Sequence, residues 1–275
     1  MSDFTDTALG KTTAAPSRYT PSLLYPVARS RMRSQSINTA DKLPFHGYDL
    51  WTGYELTWLN LKGRPEVAIV QLSVPCDSPN IIESKSLKLY LASFTQTRFK
   101  SVYDVSRTLE SDLSVTAGAT VLVDVQSLAQ AAQSGVGHFT GECIDHLDIE
   151  IDAYQPDPYL LEVEEKGRVI GSSVYSNLLR SLCPVTGQPD IASIQIVYTG
   201  TPIKPESLLR YIVSYREHQG FHEHCVESIF MDIKEQCRPS DLSVYARYVR
   251  RGGLDISPFR SSSRAFPQNL RLVRQ

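Results

Sequence analysis

The sequence contains no Cys-x-x-Cys pair, and its five cysteines, Cys76, Cys143, Cys183, Cys225 and Cys237, are odd in number and far apart. A disulfide framework and the commoner zinc-finger spacings are therefore not expected. No Asn-x-Ser/Thr sequon occurs. No stretch approaches the roughly 20 apolar residues of a membrane span, and MSDFTDTALGKTTAAP lacks the apolar core of a signal peptide. A cytoplasmic location with reduced thiols, and no membrane partner, is the expectation. Gly-x-x-x-x-Gly-Lys is absent, which excludes a P-loop. The net charge is only -2, so the chain has no overall basic character for gripping nucleic acid. Basic residues do gather locally. From Ala246 onward, Arg247, Arg250, Arg251, Arg260, Arg264, Arg271 and Arg274 face a single acid, Asp255. This reads as a solvated basic tail or as a phosphate site.

What is present is ordinary globular composition, 41% hydrophobic and 21% charged over 275 residues, enough for one large or two medium domains. Residues 1–44 are rich in Ser, Thr and Pro and read as an arm tied down through Tyr19, Leu23, Leu24 and Tyr25. YELTWLNLK and PEVAIVQLSV then read as two strands joined by a turn at Gly63-Arg64. Leu87, Tyr90, Leu91 and Phe94 fall at helical spacing. A second helix opens at Ser101, with Asp104 in the capping-box place and Val102, Val105 and Leu109 on one face. ATVLVDV reads as a strand, and HLDIEIDAY alternates like another.

The second half repeats the order. VIGSSVYSNLL and IASIQIVYTG are strands. Pro205 starts a helix with Leu208, Leu209, Ile212 and Val213 inward. FHEHCVESIFMDIKEQC is a second helix, with Phe221, Cys225, Val226, Ile229, Phe230 and Ile233 as its apolar stripe, and LSVYARYVRR closes as a strand. The expected fold is α+β, two similar modules, each an antiparallel sheet with two helices packed on one face. Residues 128–165 hold the link between them. The chain divides into an arm at 1–44, a first module at 45–152 and a second at 153–275.

Several stretches offer chemistry. GVGHFTG misses the dinucleotide fingerprint and does not lie between a first strand and a helix. His222 and Cys225 of HEHC lie one helical turn apart and could ligate zinc with Cys183 joining them, but Cys225 also lies on the helix's apolar stripe, which favours a buried structural thiol. Glu83 and Glu223 each open a helix. The helix dipole alone favours a carboxylate there. A carboxylate also accepts two N–H donors at once, as the amino-amide edge of a guanine-like ring requires. ESKSLK is either a solvated helix face or an anion site built from helix N–H groups, Lys85 and Lys88. With RRGG at 250–253 it could grip a phosphate-rich cofactor such as NADPH. In SLCPVTGQPD, Cys183 is followed by Pro184, Gly187 and Pro189 and then by Asp190. This is a surface thiol in a turn, or a nucleophile with a proton donor held beside it for attack on a polar multiple bond.

Long motifs in one order carry a resemblance over nearly the whole chain. They include LGKTT, PSLLYPVAR, LPFHGYDLWTGYELTWLN, IIESKSLKLYLASF, CPVTGQPD, GFHEHCVESIF and YARYVRRGGLDISPFRS. The chain resembles the long, two-module form of the NADPH-dependent 7-cyano-7-deazaguanine reductases, nitrile reductases of queuosine biosynthesis. Leu182 departs from the pattern, where a polar residue is expected. The resemblance implies tandem tunnelling-fold (T-fold) modules related to GTP cyclohydrolase I. It implies that Cys183 forms a covalent thioimide with the nitrile and that Asp190 donates the proton. Ile82, Glu83, Ser84, His222 and Glu223 would hold the deazaguanine, and Ser84, Lys85, Arg251 and Gly252 would hold NADPH. It further implies two NADPH per nitrile, no metal, no direct contact with nucleic acid and a homodimer.

Overall fold

The computed structural model describes residues 16–33 and 43–275. The stretch LGKTT lies outside the described residues. The chain forms two compact units, each assembled from discontinuous segments. One takes the chain up to Met32 with Asp49–Val136 and Arg250–Ile256; the other takes Arg33–Tyr48, Gly137–Val249 and Ser257–Gln275.

The first unit contains β1 (Pro26–Ala28), most of α1 (Ser30–Arg33) and of β2 (His46–Leu59), β3 (Pro65–Pro75), β4 (Asn80–Ile82), α2 (Ser84–Ala92), α3 (Val102–Ala117), β5 (Leu122–Gln126) and α4 (Leu128–Gln133). Its main strands lie in the order β5-β3-β2. The β2–β3 turn closes as the sequence suggests, with Asn60 N–H bonded to the Arg64 carbonyl and Gly63 N–H to the Asn60 carbonyl, each at 2.9 Å. Period-two burial along β3 sends Ala68, Val70, Leu72 and Val74 inward. They meet Leu87, Tyr90, Leu91 and Phe94 from α2 and its C-terminal end, and Val105, Leu109 and Leu113 of α3. Val102 is not on that face; at the first position of α3 it is 49% exposed, and Ala117 completes the stripe instead. Ser101 caps α3 by accepting from Asp104 N–H at 3.2 Å, and its hydroxyl bonds the Asp104 carboxylate at 2.8 Å.

The second unit contains β6 (Glu142–Cys143), β7 (Ile170–Leu182), β8 (Pro189–Gly200), α5 (Pro205–Ser214), α6 (His222–Cys237), β9 (Asp241–Tyr248) and the latter part of β10 (Leu254–Ser261). Its strands run β10-β9-β8-β7-β6, antiparallel except for the short parallel pair β6–β7. Ala192, Ile194, Ile196 and Tyr198 of β8 and Leu242, Val244, Ala246 and Tyr248 of β9 alternate inward. Leu208, Leu209 and Ile212 of α5, with Cys225, Val226, Ile229, Phe230 and Ile233 of α6, are buried as expected. Fully burying each such Leu, Ile or Phe contributes about 1.5–3 kcal/mol.

The α+β class and the repeated strand-and-helix order are those expected from the sequence. Two elements differ. HLDIEIDAY keeps its alternation, with Leu147, Ile149 and Ile151 half-buried between exposed acids, yet it joins no ladder. Its period reflects one face lying on protein, without a strand partner for its main chain. The strand β10 was not expected, because Asp255, Ser257, Pro258 and Arg260 break its apolar run; all eight of its residues are nevertheless buried. The arginine-rich end is not simply a solvated tail either. Arg247 and Arg260 are buried, and Arg274 bonds the carbonyl oxygens of Asn177 and Ala192.

Candidate active site

In the second unit, CPVTGQ is the loop of the β7–β8 hairpin. Ser181 pairs with Asp190 and Leu182 with Pro189. Cys183 N–H donates to the Gln188 carbonyl at 2.8 Å, and Gly187 N–H to the Cys183 carbonyl at 3.0 Å. Asp190 is therefore not folded back by the loop; it is already in register at the start of β8. Because side chains alternate along a strand, Cys183, Ser181 and Asp190 share one face. Cys183 is 7% and Asp190 6% exposed. Gly187 has φ 64, a left-handed conformation, although an added Cβ would meet nothing within 4 Å. Gly187→Ala is thus expected to lose about 1–2 kcal/mol through backbone strain alone. Denaturant unfolding checks this, and an unchanged stability would contradict the role given to the loop.

Nothing in the structure explains the apolar side chain of Leu182, while its main chain has a clear use. Its N–H donates to the His218 carbonyl at 2.8 Å, and its carbonyl accepts from Gly220 N–H at 3.1 Å. The end of β7 is thereby tied to the segment that leads into α6, whatever side chain Leu182 carries.

That segment delivers His222 and Glu223 in the first turn of α6, after Phe221 as N-cap. His222 Nε2 lies 3.2 Å from Asp190 Oδ2. The imidazole stacks on Tyr248, with ring centroids 3.8 Å apart and planes 12° from parallel. Glu223 is buried at the helix N-terminus, where the dipole favours its charge. Burial pushes the Cys225 thiol up to about 12, as suits a structural thiol in an apolar stripe. Among the described residues no group of three or more His, Cys, Asp or Glu side chains is placed to hold a metal ion. Burial lowers His218 to about 4, with His224 adding to the shift, so His218 is a neutral ring under this turn.

In the first unit, Glu83 is the N-cap of α2. Its Oε1 accepts from Lys85 N–H at 2.6 Å and its Oε2 from Ser86 N–H at 2.8 Å. Two N–H donors are indeed accepted at once, but they are the helix's own. Burial raises the Glu83 carboxyl above its usual range, opposed by those two bonds and by the charges of Lys88 and Lys85. The arm fixes this cap. β1 pairs with β4 so that Pro26 faces Ile82, Glu83 N–H donates to the Tyr25 carbonyl at 2.9 Å, and Tyr25 N–H donates to Ser86 Oγ at 3.0 Å. Tyr19 packs edge-on against Tyr90, Phe94 and Phe99, and Leu23 and Leu24 lie on the core, as the sequence suggests.

The same unit brings the two basic stretches together. Arg251 N–H bonds the Leu254 carbonyl at 3.0 Å, which closes a turn through Gly252 (φ 59) and Gly253 (φ 71). A Cβ added at Gly252 would lie 3.5 Å from Cδ, Cε and Nζ of Lys88. The RRGG turn thus lies beside the Lys88 side chain of α2, while Arg250 covers the Tyr54 ring at 4.6 Å. The helix N–H groups of Lys85 and Ser86, expected from the sequence to serve an anion, are already taken by Glu83; what remains to suit a phosphate is the basic side chains beside a bare glycine turn. Sequence reasoning missed Tyr248, whose only local signal was an aromatic inside YARYVRR, and the pairing of Ser181 with Asp190.

Two family models match the chain. One, described as the N-terminal part of the nitrile reductase 7-cyano-7-deazaguanine reductase, covers residues 15–125; the other, a QueF-like protein model, covers residues 189–266. The NADPH-dependent 7-cyano-7-deazaguanine reductase of Ralstonia nicotianae is 50% identical over 269 residues, covering 97% of each chain. The protein of the same name from Paraburkholderia xenovorans is 49% identical over 268 residues, again covering 97% of each. The crystal structure of an apo archaeosine synthase QueF-Like protein aligns with 37% of this chain and all of its own, at TM-score 0.31 and 16% identity, too distant to bear on the fold.

Proposed function

The chain belongs to the family of NADPH-dependent 7-cyano-7-deazaguanine reductases and is an NADPH-dependent nitrile reductase, and we propose that it converts the nitrile of 7-cyano-7-deazaguanine to an aminomethyl group through a covalent thioimide on Cys183, as a step in queuosine biosynthesis. The observation that carries this reading is the hairpin that sets Cys183 and Asp190 on one face, with His222 against Asp190.

Cys183 sulfur adds to the nitrile carbon, and the nitrogen takes a proton from Asp190; the proton lost by the thiol restores the balance through the Asp190–His222 pair. NADPH, when bound, supplies a hydride to that carbon in each of two reductions. After the first, the nitrogen is protonated again, the carbon–sulfur bond breaks, and Cys183 leaves as the thiol with the imine still in place. The second reduction and one more proton give the amine. Covalent capture holds the substrate where a hydride can reach it, and a thioimide is a better hydride acceptor than a nitrile. Ile82, Glu83, Ser84, His222 and Glu223 are proposed to hold the deazaguanine, and Ser84, Lys85, Arg251 and Gly252 the cofactor phosphates. The arm at 1–44 and modules at 45–152 and 153–275 are the proposed division along the sequence, from which the compact units depart by grouping 33–48 and 137–152 with the second and 250–256 with the first, and a cytoplasmic homodimer is the proposed working form. The substrate is a free base and no contact with nucleic acid is required, in keeping with the net charge of -2. No helix among the described residues is long and apolar enough to cross a membrane.

Mixing the protein with NADPH and 7-cyano-7-deazaguanine is expected to oxidise about two NADPH per nitrile, the requirement of a four-electron reduction. Absorbance at the nicotinamide band with quantified product checks this. Loss of one NADPH or none per nitrile would contradict the proposed reaction.

A further inference from the structure

Tyr248 has no place in the chemistry above, yet its position relative to that chemistry is closely controlled. It ends β9 and is fully buried, and its ring lies flat on the His222 imidazole. Two features fix it there. The β8–β9 register sets Tyr248 opposite Ala192, two residues beyond Asp190. In addition, Gln275 Nε2 donates to the Tyr248 carbonyl at 3.1 Å. Gln275 is itself only 5% exposed. Its Oε1 accepts from Arg247 Nε at 2.9 Å and from Leu272 N–H at 3.0 Å. Arg247 is held in turn by Asn269 Oδ1 at 2.6 Å and the Tyr245 hydroxyl at 2.7 Å. The Tyr248 hydroxyl lies against Ser181 and Cys225, and burial keeps it protonated.

A histidine in the first turn of a helix can rotate about its last side-chain torsion, which is broad. Turning the His222 ring would carry Nε2 off the Asp190 oxygen. A flat aromatic at 3.8 Å permits sliding but forbids that rotation. We infer that Tyr248 is a positioning residue for nitrile reduction: its ring fixes the plane of His222 and so aims Nε2 at Asp190, while Gln275 anchors the Tyr248 main chain. This rests on the Cys183–Asp190 reading above.

The test compares wild type with Tyr248→Leu, Tyr248→Phe, Gln275→Ala, His222→Ala and the double variant Tyr248→Leu/His222→Ala, with histidine labelled for NMR. A ring stacked on Tyr248 places the His222 protons upfield, and His222→Ala assigns them. The upfield shift is expected in wild type and Tyr248→Phe, reduced in Gln275→Ala and absent in Tyr248→Leu. Turnover in Tyr248→Leu should fall about tenfold to a hundredfold with substrate affinity little changed, since small misplacements of a reacting group act on the chemical step. Tyr248→Phe should stay near wild type. In the His222→Ala background Tyr248→Leu should cost nothing further, because the two act as one unit. An ordinary His222 shift in active wild type overturns the inference and leaves the proposed reaction standing. So does equal slowing in Tyr248→Phe and Tyr248→Leu, or a Tyr248→Leu loss that persists without His222. If Tyr248→Leu does not fold, Gln275→Ala with unchanged shift and turnover overturns the anchoring. An upfield shift in wild type that reduces no nitrile overturns the proposed reaction and, with it, the role of Tyr248 in that reaction.

Discussion

Replacing Glu227 with alanine is expected to lower the unfolding midpoint by roughly 10 °C. Glu227 is 2% exposed and lies one helical turn beyond Glu223 on α6. Its carboxylate accepts from Arg33 Nε at 2.8 Å and Nη2 at 2.6 Å, and from Arg260 Nε at 3.0 Å and Nη2 at 2.7 Å. Both guanidiniums are buried and both lie over the Phe45 ring, at 5.7 and 5.6 Å. Removing the carboxylate takes away an acceptor that two buried guanidiniums share. Breaking such a buried arrangement costs about 3–5 kcal/mol, a large share of the 5–15 kcal/mol by which domains are stable. The contrast is Arg107–Glu110, whose side chains are 65% and 35% exposed. Its removal is expected to cost no more than about 1 kcal/mol. Parallel thermal unfolding of Glu227→Ala and Glu110→Ala checks the pair, and equal midpoints would contradict the account.

Replacing Cys183 with alanine is expected to abolish nitrile reduction, by about a thousandfold or more, because no other group on that hairpin face can form the carbon–sulfur bond. Cys225, a thiol of the same unit, does not substitute. It is fully buried, and its raised pKa leaves almost no thiolate near neutral pH. NADPH binding should survive, since the residues proposed to hold it, Ser84, Lys85, Arg251 and Gly252, are supported by α2 and the Arg251–Leu254 turn. Cofactor oxidation with a binding measurement on the same sample checks this. Turnover within tenfold of wild type would remove Cys183 from the mechanism.

The α+β order was legible because burial imposes periods of 2.0 and 3.6 on residues that are neighbours in sequence. Leu87, Tyr90, Leu91 and Phe94, or Ala192, Ile194, Ile196 and Tyr198, carry their own pattern. HLDIEIDAY carries the same signal without a strand, since alternation reports a half-covered face and not a hydrogen-bonded partner. β10 was hidden for the opposite reason: it is buried with polar residues whose partners lie elsewhere in the chain. Arg260 meets Glu227, which is 33 positions away, and Arg33 meets the same carboxylate from 194 positions away. No local pattern predicts either contact, so the basic tail could only be read as solvated or phosphate-binding. Residue types singled out Cys183 and Asp190 as candidates, but the β7–β8 register and not the turn sets the place of Asp190, and helix-start positions marked Glu83 and Glu223 as candidates. The stack of His222 on Tyr248 was invisible, because it depends on the β8–β9 register and on Gln275.

The most direct measurement is the intact mass of the wild-type protein after mixing with 7-cyano-7-deazaguanine in the absence of NADPH. The account predicts a gain equal to the whole substrate, as addition of a thiol across a nitrile requires, on a peptide containing Cys183 and absent from Cys183→Ala. An unmodified mass at saturating substrate, in protein that reduces the nitrile once NADPH is added, would contradict it.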